Sequence, residues 1–364
     1  MQTTSRIEQL GAVLQAADVP ALAVVPGANM FYLLGLTIHL SERLAIAFVT
    51  QTGEASMVLP VLEQPRAEME AYVPIRFYPW HDAEGFGPAL QRCITDLQLS
   101  RLAIEYGAMR VLELRAIEQV VPIETMDATE LLAGLRMVKD AAELHAMRAA
   151  VRAVEAGLQA AIDMIRPGVT EREVAETWER AMLAAGSEGP AFTTIVGSGP
   201  NSANPHHTTG DRRLHAGDLV ILDGGARVGG YLSDITRTVA VGELSAEARR
   251  IYEVVHAANQ AGIAAVQTGA SGATVDAAAR GVIEAAGLGE YFVHRTGHGL
   301  GIEAHEPPYL HAASTTPLPQ GSTFTVEPGV YVPGVGGVRI EDDVRLTAEG
   351  AEVLTSFPRE LIIC

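Results

Sequence analysis

The chain has 364 residues, room for two or three domains and at least one large core. Its 44 acidic residues outnumber 26 basic ones, and the net charge of −18 argues against nucleic acid or an anionic membrane as a partner. Two cysteines, Cys93 and Cys364, do not make a disulfide framework. No apolar run is long enough to span a bilayer, and the opening residues lack a signal pattern, so a cytoplasmic protein is expected.

Apolar positions Ile7, Leu10, Val13, Leu14 and Ala17 recur at helical spacing. A buried strand is predicted from Ala21 to Val25, stopped by Pro26-Gly27, and a short apolar stretch follows from Phe31 to Gly35. The stretches Leu44 to Val49 and Ala55 to Leu59 pattern as paired strands around Gln51-Thr52-Gly53. Ile75 to Tyr78 is a further strand, Pro88 to Leu97 a helix, and Arg101 to Glu105 another strand. Strands alternating with helices predict a small α/β domain over residues 1–125, with nothing in it resembling a catalytic cluster. Residues 126–140 are expected to form a helical linker and 141–364 the catalytic part. Thr129 to Met137 and Ala141 to Met164 are helical by period and propensity, with a break at Lys139-Asp140.

Helix then strand recurs twice beyond that point. Ile162, Gly168, Val174 and Ala184-Ala185-Gly186 are echoed at one constant offset by Ile263, Gly269, Val275 and Ala285-Ala286-Gly287. An internal duplication of a two-helix unit followed by strands accounts for this, and it would set strands of the two copies side by side around a cleft.

Chemistry concentrates in the second part. His294-Arg295-Thr296-Gly297-His298-Gly299-Leu300-Gly301 has too many glycines for a helix and is predicted as an irregular strand or loop presenting His298. Leu219 to Asp223 is a strand ending in a carboxylate, and after Gly229-Gly230 the chain returns through Asp234, a hairpin pattern that places the two aspartates on adjacent strands. Like charges that close repel unless a cation lies between them. Glu327 and Glu341 also follow β-type apolar residues, where an unpaired charge is costly to bury. Period-two geometry puts Arg339, Glu341 and Asp343 on one strand face, and spacing does not choose between the last two acids. Four carboxylates and one imidazole suit two hard or borderline divalent ions better than a single structural zinc.

In order and in local wording, Asp223, Asp234, His298, Glu327 and Glu341 resemble the metal-binding residues of the pita-bread metallopeptidases, the family of methionine aminopeptidase, aminopeptidase P and prolidase. The resemblance covers essentially the whole chain. It implies an α+β fold: a pita-bread catalytic domain with internal pseudo-two-fold duplication, preceded by a creatinase/prolidase-like α/β domain. It further implies two divalent metal ions, manganese first with cobalt or zinc as alternatives. Asp223 would hold one ion, Asp234 and Glu341 would bridge both, and His298 with Glu327 would complete the second.

The wording is closest to the proline-specific branch. Gly197 to His206 resembles the segment carrying a catalytic histidine, which makes His206 rather than His207 the residue that meets the substrate carbonyl. His305 resembles the second catalytic histidine, and Glu327 would also carry the proton. His294, Tyr331 and Arg339 resemble residues that enclose the proline. The substrates implied are small proline-containing peptides and the assembly a homodimer. Hydrolysis of Xaa-Pro dipeptides is the expected activity, with Arg339 or Arg43 meeting the terminal carboxylate. Aminopeptidase P activity on longer peptides is the alternative, and a non-catalytic binding protein a remote one.

Overall fold

A computed structural model describes residues 2–364, with side chains from Arg6 onward. The chain divides into two compact units, Met1–Arg136 and Met137–Cys364.

The first unit is built on a six-stranded sheet. Its order is Ile75–Trp80, Ala55–Pro60, Ile46–Thr50, Ala21–Val24, Arg101–Ile104, Glu124–Asp127. The strand pair around Gln51-Thr52-Gly53 is antiparallel, Val49 opposite Ala55, and Gly53 takes the positive φ of 85° that closes the turn. Val24, Ile46, Phe48, Met57 and Val58 are fully buried, as expected of strands with both faces covered. The apolar stretch Phe31 to Gly35 belongs to a helix, Ala28–Leu34, ended by Gly35 in the left-handed region. Most of the segment expected to link the domains is built into this unit, as the strand Glu124–Asp127 and the helix Thr129–Arg136.

Two helix pairs frame the second unit. Ala141–Asp163 packs on Glu171–Ala184, and Ala246–Ala264 packs on Gly272–Ala285. Asp140 is the N-cap of the first helix and closes a capping box with Glu143, which explains the break seen in the sequence there. The echoed residues occupy equivalent places. Gly168 and Gly269 take φ of 94° and 85°, Thr170 and Ser271 cap the helices that follow, and Val174 and Val275 are fully buried.

Between the helix pairs lie the site-bearing strands. Leu219–Gly224 is central to an antiparallel trio with Ile235–Ala240 and Ile195–Ser198. A five-stranded sheet runs Glu306–Leu310, Gly297–Gly299, Thr323–Val326, Asp342–Thr347, Gly350–Val353. The two sheets meet where Thr236 bridges Glu341, the Glu341 N–H donating to the Thr236 carbonyl at 3.1 Å. Among the described residues, no helix is long and apolar enough to cross a membrane, and Cys93 and Cys364 are both free thiols.

Candidate metal centre and substrate cavity

A cavity of ≈ 700 Å³ opens where the two sheets meet. Asp223, Asp234, His298, Glu327 and Glu341 all line it, together with His206, His294, His305 and Arg339. Each acid arrives from a different strand end. Asp223 opposes Thr236 in the antiparallel register, and Asp234 precedes Thr236 by two positions, so the two aspartates share a face. Glu341 reaches the same space beside Thr236, whose hydroxyl donates to Glu341 Oε2 at 2.6 Å.

His298 lies on the short strand Gly297–Gly299, whose pairing shifts register just after the histidine. The flanking glycines are required by backbone approach: a Cβ on Gly297 would stand 2.0 Å from the Thr325 carbonyl oxygen, and one on Gly299 2.2 Å from that of Pro307. Glu327 is fixed alongside by its own N–H, which donates to the Thr296 carbonyl at 2.8 Å. Ligand-capable atoms of Asp234, His298 and Glu341 fall within 4.8 Å of one another.

The electrostatics call for a cation. His298 Nδ1 sits 3.1 Å from the Gly299 carbonyl, a contact that requires the Nδ1 proton. The other nitrogen, Nε2, then faces Glu327 Oε1 at 3.1 Å and Asp234 Oδ2 at 4.0 Å. A neutral imidazole would oppose lone pair to lone pair there; a proton or a metal ion removes the conflict. Asp223 Oδ1 and Asp234 Oδ1 are buried without a hydrogen-bond partner, an arrangement costing several kcal/mol if ionised and left alone. Burial, then repulsion from neighbouring acids (Glu341 on Asp234, Glu327 on Glu341 and Asp223 on both), pushes Asp234 and Glu341 well above the usual carboxylate range. Burial also raises Asp223, against the pull of Arg339. Glu327 goes the other way: burial opposes ionisation, but His298, His294 and Arg339 together hold it below its usual value. Oxygen-rich donors with bare, inward oxygens and one bare imidazole nitrogen fit divalent cations.

Some placements differ from the sequence-based expectation. Tyr331 is buried and stands behind the wall rather than on it. Its hydroxyl links His294 Nε2 at 2.8 Å to Arg339 Nη1 at 2.7 Å. Because His294 Nδ1 lies 2.8 Å from the Arg295 carbonyl, its Nε2 is the acceptor, so Arg339 donates to Tyr331 and Tyr331 donates to His294. Arg339 Nη2 also donates to Asp223 at 2.5 Å and Nε to Thr236 at 3.2 Å, so its charge is already engaged. Arg43 belongs to the first unit, where its guanidinium pairs with Asp82 at 2.9 Å and Glu42 at 3.2 Å. The choice the spacing left open is made by orientation: Glu341 faces the cavity, whereas Asp343 lies behind and accepts the Asp234 N–H at 3.1 Å.

His206 lines the cavity from an exposed loop position. Its neighbour His207 is turned away and meets Glu171 Oε2 at 2.9 Å. Glu171 escaped the sequence reading because it looks like any first-turn helix acid. It is fully buried and gathers the loop: Ser198 N and Oγ, Asn201 Nδ2, His207 and Gly210 N all reach it. The His305 ring packs against that of His298 at a tilt of 54°, with centroids 4.0 Å apart; partial burial and the His298 ring lower its pKa to about 4. A buried ion pair, Lys139 to Glu306 at 2.7 Å, holds the segment beside His305. Neither partner carries a sequence signal beyond the residue type itself.

The folding pattern and this acidic cavity define a metal-dependent hydrolase of the pita-bread class, with divalent metal as its cofactor. Residues 145–348 match Metallopeptidase family M24 and residues 6–138 match the Creatinase/Prolidase N-terminal domain; the chain belongs to the M24 metallopeptidases. It is 36% identical over 361 residues to the probable dipeptidase PepE of Mycobacterium tuberculosis, covering 98% of this chain and 96% of that one. It is 34% identical to the Xaa-Pro dipeptidase of Pyrococcus horikoshii, covering 98% of each. Among solved structures, prolidase from Thermococcus sibiricus superposes with a TM-score of 0.94 at 35% identity over 100% of both chains. X-Pro aminopeptidase from Thermotoga maritima gives 0.88 at 30% identity, covering 98% of this chain and 99% of that one.

Proposed function

We propose that this protein hydrolyses the bond before proline, acting chiefly on Xaa-Pro dipeptides. One observation carries the reading: the metal-suited acids share a single cavity with a His294 ring whose orientation is locked through Tyr331 and Arg339. A rigid, uncharged ring beside the acids is a suitable wall for a pyrrolidine, which has no N–H to satisfy.

Asp223, Asp234, His298, Glu327 and Glu341 would hold two divalent ions, with manganese favoured by the oxygen-rich donor set. Bound there, such ions supply Lewis acidity and make water a nucleophile near neutral pH. The remaining steps fall to the protein. His206 and His305 lie on the cavity wall and donate hydrogen bonds to the carbonyl oxygen as it gains negative charge. His305, neutral at pH 7 because of its depressed pKa, does this without adding a full charge. Glu327 carries the proton to the departing imino nitrogen. Asp223 marks the end of the cavity that takes the substrate's amino group.

The reading includes a catalytic domain over residues 141–364 and an N-terminal domain before it. It also includes a homodimer in the cytoplasm. Sedimentation and cell fractionation test the last features. The activity is tested by loading the purified protein with manganese or cobalt and comparing Xaa-Pro with Xaa-Pro-Yaa. Preference for the dipeptide is expected; a strong preference for the tripeptide would make it an aminopeptidase P, a reading favoured by the likeness to the Thermotoga enzyme.

A further inference from the structure

We propose that Arg295 recognises the terminal carboxylate of an Xaa-Pro dipeptide and so sets the preference for dipeptides over longer peptides. The inference rests on the function proposed above. A dipeptide ends in a carboxylate just beyond the proline, and it enters a cavity lined by five acids, Asp223, Asp234, Glu303, Glu327 and Glu341. Selectivity for that end requires a cation there whose charge is not already spent.

Two arginines line the cavity, Arg295 and Arg339. Arg339 is buried, and it donates to Asp223, Tyr331 and Thr236. Its charge compensates Asp223 and its hydrogen bonds hold the His294 wall. Arg295 is different. It is half-buried, and among the described residues no carboxylate pairs with it. Its guanidinium lies over the Tyr309 ring, 4.5 Å from the centroid, and Nη2 approaches His305 Nδ1 at 3.5 Å.

Stacking on an aromatic face fixes the guanidinium plane while leaving N–H edges for a carboxylate, which a paired arginine could not offer. Position agrees with chemistry. Arg295 follows His294 directly and touches His305, so it stands at the end of the cavity assigned to proline and the departing group. Arg295 attracts the substrate carboxylate, and the acids at the other end are taken up by the metal ions. That attraction orients the dipeptide with its amino group towards Asp223. A peptide extended beyond proline presents a neutral amide at the same point and gains nothing from Arg295.

The test compares alanylproline with alanylprolinamide on manganese-loaded wild type, R295M and R295K. Wild type is expected to prefer the free acid. In R295M that preference should shrink by about 10- to 100-fold, the loss falling mainly in KM, as for one charge-assisted hydrogen-bonded contact. R295K, retaining the charge without the planar fork, should keep part of the preference. An R295M that discriminates acid from amide as wild type does, or that loses both substrates equally, would overturn the proposal. Wild type inactive on both substrates would instead sink the underlying function, and that result is read before any variant is made.

Discussion

His298 Nε2 and Glu327 Oε1 stand 3.1 Å apart, while the other imidazole nitrogen is held by the Gly299 carbonyl. That contact is stable only with positive charge between or upon the two groups, and the nearby bare oxygens of Asp223 and Asp234 increase the demand. Metal removal therefore weakens the fold as well as the activity. Chelator-treated protein should melt at a lower temperature and recover on adding manganese, the gain rising with ion concentration to about 2.7 kcal/mol at a hundredfold excess over Kd. Melting curves unaffected by chelator and ion would contradict this.

Glu327→Gln keeps the shape of the side chain but removes the proton carrier, and His305→Ala removes an oxyanion donor. Each should lower kcat by about 10²- to 10⁴-fold in metal-loaded protein, the usual range for positioned acid–base and oxyanion groups. Metal content measured on the same samples separates lost chemistry from lost ions. Near-normal turnover would refute the assigned roles.

Tyr331→Phe deletes the hydroxyl joining His294 to Arg339. One acceptor and one donor are then left buried without a partner, costing about 1–3 kcal/mol. Stability should fall by that amount. Activity on Xaa-Pro should drop with it because the His294 ring and Asp223 both lose their common brace. Denaturant titration and kcat/KM measured together check the coupling.

Glu171 links acid sensitivity to the His206 loop. Burial alone would raise its pKa, but hydrogen bonds from Ser198, Asn201 and His207 outweigh it and leave the value below the ordinary 4.5. A carboxylate with a depressed folded pKa stabilises the fold above its unfolded value, and that contribution is lost as pH falls through the folded one. Stability of wild type should thus decline below about pH 4.5, and Glu171→Gln should remove this component of the decline. At neutral pH the same substitution should cost about 1.5–3 kcal/mol, as expected for charge-assisted bonds. It should also lower kcat without lowering metal content, since the loop it anchors carries His206 rather than a ligand-capable acid.

Gly297→Ala tests the packing around His298. The new Cβ would meet the Thr325 carbonyl oxygen at 2.0 Å, and strand must move from strand. A loss of about 1–3 kcal/mol or more is expected from overpacking. Metal affinity should fall too, as His298 shifts away from Asp234 and Glu341. A variant melting like wild type would show that the strand pairing is looser than these contacts imply.

Much of the fold is legible from local rules. Pro26-Gly27 and Gly53 mark turns, Asp140 marks a helix start, and the repeated Gly168/Gly269 pattern exposes the duplication, because caps, turns and periodicity depend on neighbours a few residues away. The strand ends bearing Asp223, Asp234, Glu327 and Glu341 were legible for the same reason. What those side chains face was not. Glu341 and Asp343 are equivalent by period, and only the bridge from Glu341 to Thr236, far back in the chain, turns one to the cavity and the other to the Asp234 backbone. Tyr331 behind His294, His207 against Glu171 and Arg339 against Asp223 are likewise pairings across long stretches of sequence. Local spacing sets which residue types end which strands; which charges meet is set across the fold, because burial and partner choice follow from strand register and sheet packing.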